Sequence, residues 1–156
     1  MLRRVAQGLL TTLAFAFGLA GPAAAARLSS AQASLLGAMN RTRVAYHLAP
    51  LRVDATLTRA ARAHTTSMLR GNYFAHGDFA LRMRLYHVSG SIAGENLAWG
   101  VGSRATASSI VSEWLASSEH RANLLRPSFR RVGIGRGVGT FAGYSGAAVV
   151  TADFAG

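Results

Sequence analysis

Residues 131–139 read RVGIGRGVG, and residues 147–154 read AAVVTADF. The first segment has glycine at alternate positions, the second is apolar, and the residues between them, FAGYSG at 141–146, are typical of a turn. This pattern predicts two strands, over residues 131–140 and 147–154, that pair as a hairpin. The C-terminal part of the chain is therefore expected to form antiparallel sheet.

Helices are predicted upstream of this hairpin. Apolar residues recur at helical spacing over residues 29–46, and Ser29 or Ser30 is expected to cap the start of this helix. They recur again in a second helical segment, which Asp54 caps and Gly71-Asn72 ends. A short strand follows, and then a third helix over residues 106–125, which Pro127 stops. Helices before and between antiparallel strands indicate an α+β domain.

The first 26 residues have the order of a secretory signal peptide. Arg3 and Arg4 form a basic start, residues 9–20 are almost entirely apolar, and Ala24-Ala25-Ala26 offers a cleavage site. A membrane anchor is the alternative, but the apolar run is short for a bilayer span. We therefore expect a signal peptide over 1–26 and one mature domain over 27–156, secreted or periplasmic, with no membrane span after cleavage.

The amino-acid composition limits the kinds of site and partner that the chain can have. The chain has no cysteine, which excludes disulfides and zinc–thiolate sites, and its formal net charge is +11 with every basic residue an arginine. The charge either reflects the base composition of the genome or attracts anionic envelope polymers and lipid head groups. Because the arginines are scattered along the sequence, we favour the first interpretation. Nucleic acid is not expected as a partner, because no motif supports it.

Three polar residues lie where helix or strand periodicity does not explain them. His76 follows an aromatic pair, Glu95 lies within AGENLAWG at 93–100, and His120 is near the end of the third helix. Two imidazoles and a carboxylate can bind a zinc-like ion, or can act as an acid–base set without metal. The structural alternatives are a loop cap for His76, an arginine partner for Glu95 and a surface position for His120.

The order of the motifs resembles the CAP superfamily, which comprises the cysteine-rich secretory, antigen 5 and pathogenesis-related proteins and is also named for its SCP domain. The resemblance runs from about residue 35 to residue 154. It rests on NxxR at 40–43, PLxxDxxL at 50–57, AHxxxM at 63–68, YFAH at 73–76, GENLA at 94–98, WxxSxxHRxNL at 114–124, GIG at 133–135 and TxxF at 151–154.

The resemblance implies a three-layer α-β-α sandwich with a central antiparallel sheet and a cleft. Members of this family often place two histidines and two glutamates in that cleft, where a divalent metal such as zinc can bind. By motif, His76 and His120 match the two histidines, and Glu95 matches the glutamate of the GEN motif. The resemblance thus implies that Glu95 faces both histidines.

The chain departs from the family pattern at Ser117, where the second glutamate is usual. Glu113 and Glu119 are nearby, but neither matches the motif, and on a continuous helix both are expected to point elsewhere. The predicted site therefore has fewer charges for a metal. Its predicted members are His76, Glu95 and His120, with Ser117, Asn96 and Arg121 in supporting positions.

Several other polar residues are interpreted as structural. Amide and guanidinium groups in such positions usually satisfy backbone groups around a buried site. His64 lies on the apolar face of its helix and is interpreted as a core histidine. The structural set comprises Asn40, Arg43, Asn96, Arg121 and Asn123.

Three functions are compatible with these residues. The first is a secreted, monomeric binding module whose partners are anionic envelope polymers, a lipid or glycan, or a peptide. The second is a metal-assisted hydrolase that uses His76, Glu95 and His120 on an amide or ester. The third is a structural envelope protein, with the trio as a satisfied network. We favour binding over enzymatic activity, because no nucleophile, second acid or oxyanion stabiliser is evident.

Overall fold

The structure is a computed structural model that describes residues 27–156. The predicted signal peptide over 1–26 lies outside the described residues. The helices are α1 (Ser30–Ala45), α2 (Ala55–Gly71), α3 (Phe79–Leu85), α4 (Ala107–Ala116) and α5 (Ser118–Leu124), and a 3-10 helix covers Gly102–Ala105. The strands are β1 (Arg52–Val53), β2 (Ala93–Gly100), β3 (Arg131–Phe141) and β4 (Tyr144–Ala155).

The strands form one sheet in the order β1-β3-β4-β2. The β3–β4 hairpin and the β2–β4 pair are antiparallel, and the two-residue strand β1 pairs in parallel with β3. Helices cover both faces: α1, α4 and α5 pack on one, and α2 and α3 pack on the other. The predicted α-β-α sandwich is confirmed. Strand β1 was not predicted, because two residues carry no periodicity.

The alternation of side chains along β4 divides the interior into two halves. Val150, Ala152 and Phe154 pack among residues of α1, α4 and α5, whereas Val149 packs against α2. Asp153 has the same parity as Val149 and therefore points toward α2 and α3. Strand β2 pairs Glu95 with Asp153, so both carboxyl groups lie on this face.

The helix boundaries follow the predicted caps. Ser29 caps α1 in a capping box with Gln32, and the Asp54 carboxylate accepts hydrogen bonds from the first turn of α2. Asn72 ends α2 in the left-handed conformation, with φ of 48°. These side chains therefore fix where the two long helices begin and end.

The predicted hairpin is confirmed, but its turn is tighter than expected. Ala142 and Gly143 alone connect the strands, with φ of 50° and 82°. Positive φ at both positions matches the twist of the paired strands. The strands consequently extend to Phe141 and from Tyr144.

The single third helix predicted over residues 106–125 is wrong. Ser117 is extended, with ψ of 126°, and separates α4 from α5. Serine prefers helix caps to helix interiors, and the Ser117 carbonyl accepts the backbone N–H of Arg121 at 2.8 Å as α5 begins. The change of direction at Ser117 removes the continuous helix on which the expected orientations of Glu113 and Glu119 rested.

Candidate functional site

Glu95 is the centre of a buried polar cluster. Its side chain is only 2% exposed and faces α2 and α3 from strand β2. The Nδ1 atom of His76, in the loop after α2, lies 2.7 Å from Oε1, and Arg82 of α3 donates from Nη2 to Oε2. Both carboxylate oxygens are thus engaged, one by each neighbour, and the arginine partner considered from the sequence is present.

Asp153 is the second carboxyl group of this cluster. It is fully buried opposite Glu95, and its Oδ1 lies 3.8 Å from Arg82 Nη2. Among residues 27–156, neither of its oxygens has a hydrogen-bond partner. Burial, and then the negative charge of Glu95, raise the pKa of Asp153 well above its usual value. A protonated Asp153 relieves the repulsion between the two facing carboxyl groups.

His64 lies beneath the cluster, on α2. It is 5% exposed, and its Nε2 donates to the Ala75 carbonyl at 3.0 Å. The same nitrogen is 3.8 Å from Oε2 of Glu95. Burial lowers the pKa of His64, although the charge of Glu95 opposes this shift. The interpretation of His64 as a satisfied core histidine is confirmed.

His76 is the member of the cluster that reaches solvent, with its side chain 54% exposed. A carboxylate can only accept, so a neutral His76 places its proton on Nδ1 and leaves a lone pair on Nε2. Arg82 also donates to the His76 carbonyl at 3.1 Å. The loop and the ring are therefore both held, and Nε2 makes no hydrogen bond to any residue that the structure describes.

A pocket of about 400 Å³ lies beside the C-terminal end of β2. Both tryptophans of the chain contribute to its wall, and an ion pair between Arg104 and Glu113, 3.1 Å long, lies at its rim. Trp99 contacts Tyr144 with ring centroids 5.9 Å apart. The lining residues are Phe74, Leu97, Ala98, Trp99, Gly100, Val101, Arg104, Glu113, Trp114, His120 and Tyr144.

His120 forms part of the wall of this pocket. Burial, and then the charge of His76, lower the pKa of His120, which favours a neutral imidazole near pH 7. Among the described residues, no hydrogen bond or ion pair joins the His120 ring to Glu95. The structure therefore brings His76 and Glu95 together and places His120 in the adjoining pocket.

The supporting residues occupy different places. The Asn96 amide donates to the His120 carbonyl at 2.9 Å, and Asn123 donates to the Glu95 carbonyl at 3.0 Å, so both amides tie β2 to α5. Ser117 is half-buried and makes no capping hydrogen bond with its side chain. Arg121 is exposed and donates to the hydroxyl of Tyr46 at 3.3 Å, away from the cluster.

The expectation that Glu113 points away from the site is wrong. Glu113 lines the pocket together with His120, and its side chain is 40% exposed. Glu113 and Trp114 are neighbours in the last turn of α4, which ends at Ala116, and both line the pocket. An acidic side chain is therefore present at the pocket rim, although not at Ser117.

The donor set suits a divalent metal poorly. Within residues 27–156, no group of three or more His, Asp or Glu side chains is arranged to hold a metal ion. An ion at Glu95 would compete with Arg82 for one carboxylate oxygen and with His76 for the other. The metal site at His76, Glu95 and His120 stays a prediction, and no chemical step is derived through it.

Sequence reasoning missed two members of the buried cluster, Arg82 and Asp153. Asp153 is the one charged residue in AAVVTADF, and a charge within a buried strand signals a partner opposite. Arg82 lies in a short basic helix whose residues give no such signal. Its role follows only from the packing of α3 against the sheet.

Comparison with protein families gives a match over most of the domain. The model of the cysteine-rich secretory protein family, CAP, matches residues 36–154. The chain is 37% identical to the uncharacterised protein YkwD of Bacillus subtilis over 101 residues, which are 62% of this chain and 38% of that protein. It is 31% identical to the uncharacterised membrane protein YlbC of B. subtilis over 112 residues, which are 69% of this chain and 32% of that protein. The chain thus spans about a third of the length of each relative.

Solved structures with the same architecture come from extracellular and surface proteins. An extracellular protein from Bacillus anthracis that contains an SCP domain has a TM-score of 0.64 and 27% identity, covering 78% of this chain and 38% of that one. An outer surface protein of Borrelia burgdorferi has a TM-score of 0.65 at 21% identity, covering 77% and 87% respectively. The second likeness shows the fold alone. No helix within residues 27–156 is long and apolar enough to cross a membrane.

Proposed function

This chain belongs to the cysteine-rich secretory protein (CAP) family, and from that premise we propose that it is an extracytoplasmic binding module. Its pocket would hold the apolar part of a lipid-like ligand. The observation that carries the proposal is the aromatic pocket of about 400 Å³ beside the Glu95 cluster. That volume lies within the range of small-molecule sites, which are mostly apolar with a few polar groups.

The lining supports an amphiphilic ligand. Trp99, Trp114 and Tyr144 supply rings, whereas His120 and the Arg104–Glu113 pair supply polar groups at one side. Tyr144 is 56% exposed, so a ligand that covers it would remove apolar surface from water. A lipid meets these conditions best, because most of the lining is apolar. A glycan, with one apolar face, is the alternative ligand.

The location outside the cytoplasm has two supports. The sequence begins with the pattern of a signal peptide, and the structural neighbours are named as extracellular or surface proteins. The absence of cysteine is compatible with such a compartment, because the domain has three clusters of buried apolar side chains to stabilise it. These observations support a location in the periplasm, in the medium or on the outer cell surface.

Calorimetry tests the ligand site. Residues 27–156 contain every helix and strand described, so this segment is titrated with palmitate and, separately, with an N-acetylglucosamine tetrasaccharide. We expect palmitate to bind, and Tyr144→Ala to weaken binding about tenfold. Tyr73→Ala is the matched control, because Tyr73 is 38% exposed and lies outside the pocket. Heat from the tetrasaccharide alone would favour the glycan, and no heat from either would remove the proposal.

The His76–Glu95 pair favours a second candidate, a hydrolase. The carboxylate orients the ring, and Nε2, which makes no hydrogen bond within residues 27–156, would accept a proton from water that attacks an ester. Hydrolysis of p-nitrophenyl acetate tests this candidate. Turnover lost in His76→Ala but kept in His87→Ala would support it, and equal rates in all three proteins would exclude it.

Zinc calorimetry tests the predicted metal site separately. The wild type is compared with His76→Ala and His120→Ala. One-to-one binding that both substitutions abolish would support a shared metal site. Heat that neither substitution changes would place any bound zinc elsewhere.

A further inference from the structure

Three arginines that fall within residues 121–130 lie close together around the end of helix α5. Arg121 and Arg126 line one shallow groove, and the Arg130 guanidinium donates to the carbonyl of Pro127 in the same groove. All three are exposed. We call these three residues, with Tyr46, the arginine face.

A buried arginine fixes the backbone beneath this face. Arg43 is fully buried and donates to the carbonyls of Leu124 at 2.8 Å and Phe129 at 3.0 Å. It also donates to the Arg126 carbonyl at 3.2 Å. The segment that carries Arg126 and Arg130 is thus tied to the end of α1. Burial and the charge of Arg130 lower the pKa of Arg43, in keeping with crowded positive charge.

The arginine face has no acidic partner. Among residues 27–156, the arginines in ion pairs are Arg82, Arg104 and Arg131. Arg121 contacts the ring and hydroxyl of Tyr46, and Arg126 lies 5.3 Å from the centre of the Phe129 ring. Three exposed guanidinium groups therefore keep their charge available to an anion.

Apolar surface accompanies this charge. Ala122, Leu125 and Pro127 form the groove between Arg121 and Arg126. Tyr46, which follows the last residue of α1, is 45% exposed, and its ring lies 5.7 Å from the Arg121 guanidinium carbon. Arginine beside an exposed aromatic and apolar residues suits the interface of a membrane, where the head groups are charged and the acyl chains begin. A soluble polyanion would make no use of the apolar residues.

We propose that the arginine face docks on the surface of an anionic phospholipid membrane. The guanidinium groups would bind lipid phosphates, and the side chain of Tyr46 would enter the interface. This surface is separate from the pocket, since none of the face residues lines it. Membrane docking therefore goes beyond the proposed ligand binding, and each can fail without the other.

Vesicle co-sedimentation tests the proposal with residues 27–156, checked for folding by circular dichroism. Vesicles of equal parts phosphatidylglycerol and phosphatidylcholine are compared with pure phosphatidylcholine at low salt, because salt screens such contacts. We expect binding to the anionic vesicles only. Replacing two basic residues, Arg121→Gln with Arg126→Gln, should weaken it about 30-fold.

The matched control is Arg59→Gln with Arg70→Gln, which removes the same charge from exposed positions on α2. We expect this control to bind within about threefold of the wild type, since its arginines lie on the other layer. Equal weakening in both double variants would mean that net charge alone drives binding, and would overturn the proposal.

A second comparison separates a membrane from a soluble polyanion. Tyr46→Ser keeps every charge and should lower vesicle binding while leaving binding of inorganic polyphosphate unchanged. A wild type that binds polyphosphate but not anionic vesicles would overturn the membrane assignment. So would a Tyr46→Ser variant that binds vesicles as well as the wild type.

Discussion

At the scale of single residues, Glu95 shows how one carboxylate is kept inside the sheet. A buried charge is costly unless a partner and hydrogen bonds compensate for it. Glu95 has Arg82 on one oxygen and His76 on the other, and Asp153 opposite carries a raised pKa. The cluster thus holds a single arginine between two acids, of which only one needs to be charged.

Removing the charge of Glu95 should destabilise the fold. Glu95→Gln removes the carboxylate that Arg82 contacts most closely and leaves the guanidinium, 11% exposed, with only Asp153 at 3.8 Å. We expect the free energy of unfolding to fall by about 3 kcal/mol, measured by urea denaturation at pH 7. Glu119→Gln, at an exposed position, is the control and should change it by less than about 0.5 kcal/mol. Wild-type stability in Glu95→Gln would contradict this account of the cluster.

Asp153 should make stability depend on pH. Because its folded pKa is raised, the folded state keeps a proton that the unfolded chain releases near the ordinary value of 3.8. The contribution of Asp153 to the free energy of unfolding is therefore complete below pH 3.8 and is lost as the pH rises through the folded pKa. We expect Asp153→Asn to lack this loss when unfolding free energies are compared from acid to neutral pH. The difference between the two proteins isolates Asp153 from the histidines, and parallel curves would refute its role.

At the scale of elements, the glycines of β3 let helix α2 lie directly on the sheet. A Cβ at Gly133 would lie 2.0 Å from the Leu57 carbonyl carbon, and one at Gly135 would lie 2.3 Å from the Ala61 carbonyl oxygen. No real side chain tolerates such distances, and the obstructing atoms are backbone. The alternate glycines in RVGIGRGVG therefore determine how close the helix approaches, and so where His64 sits under Glu95.

The packing of α2 on β3 predicts that alanine substitutions at two glycines of this strand differ greatly in their effect on stability. Gly135→Ala should push α2 away and cost about 3 kcal/mol or more. Gly139→Ala has its nearest obstruction at 3.6 Å, an ordinary contact with a Leu69 methyl, and should cost far less. Thermal unfolding of the two variants measures the difference. Similar melting temperatures would mean that α2 does not rest on these glycines.

The same elements show what sequence reasoning reaches and where it stops. Caps at Ser29 and Asp54 and the hairpin were predicted, because local hydrogen bonding and strand periodicity decide them. The break at Ser117 was missed, because no glycine or proline marks it between Thr106 and Pro127. Arg82 and Asp153 were missed because they meet through tertiary packing, which no spacing in the sequence expresses.

At the scale of the whole molecule, the buried cluster, the pocket and the arginine face occupy three separate regions of the sandwich. The Glu95 cluster is buried on the face of the sheet that α2 and α3 cover. The aromatic pocket lies at the C-terminal end of β2, and the arginine face lies around α5. Helix α5 contributes residues to two of these regions, because His120 lines the pocket and Arg121 lies on the arginine face. A ligand in the pocket and a surface under the arginine face could therefore be engaged together.

The most direct test of ligand binding in the pocket is tryptophan fluorescence with a palmitate brominated along its acyl chain. Both tryptophans, Trp99 and Trp114, line the pocket, and bromine quenches a nearby indole. The account predicts saturable quenching, which unlabelled palmitate reverses. Binding seen by calorimetry without any quenching would place the lipid elsewhere on the molecule and would contradict the proposed function.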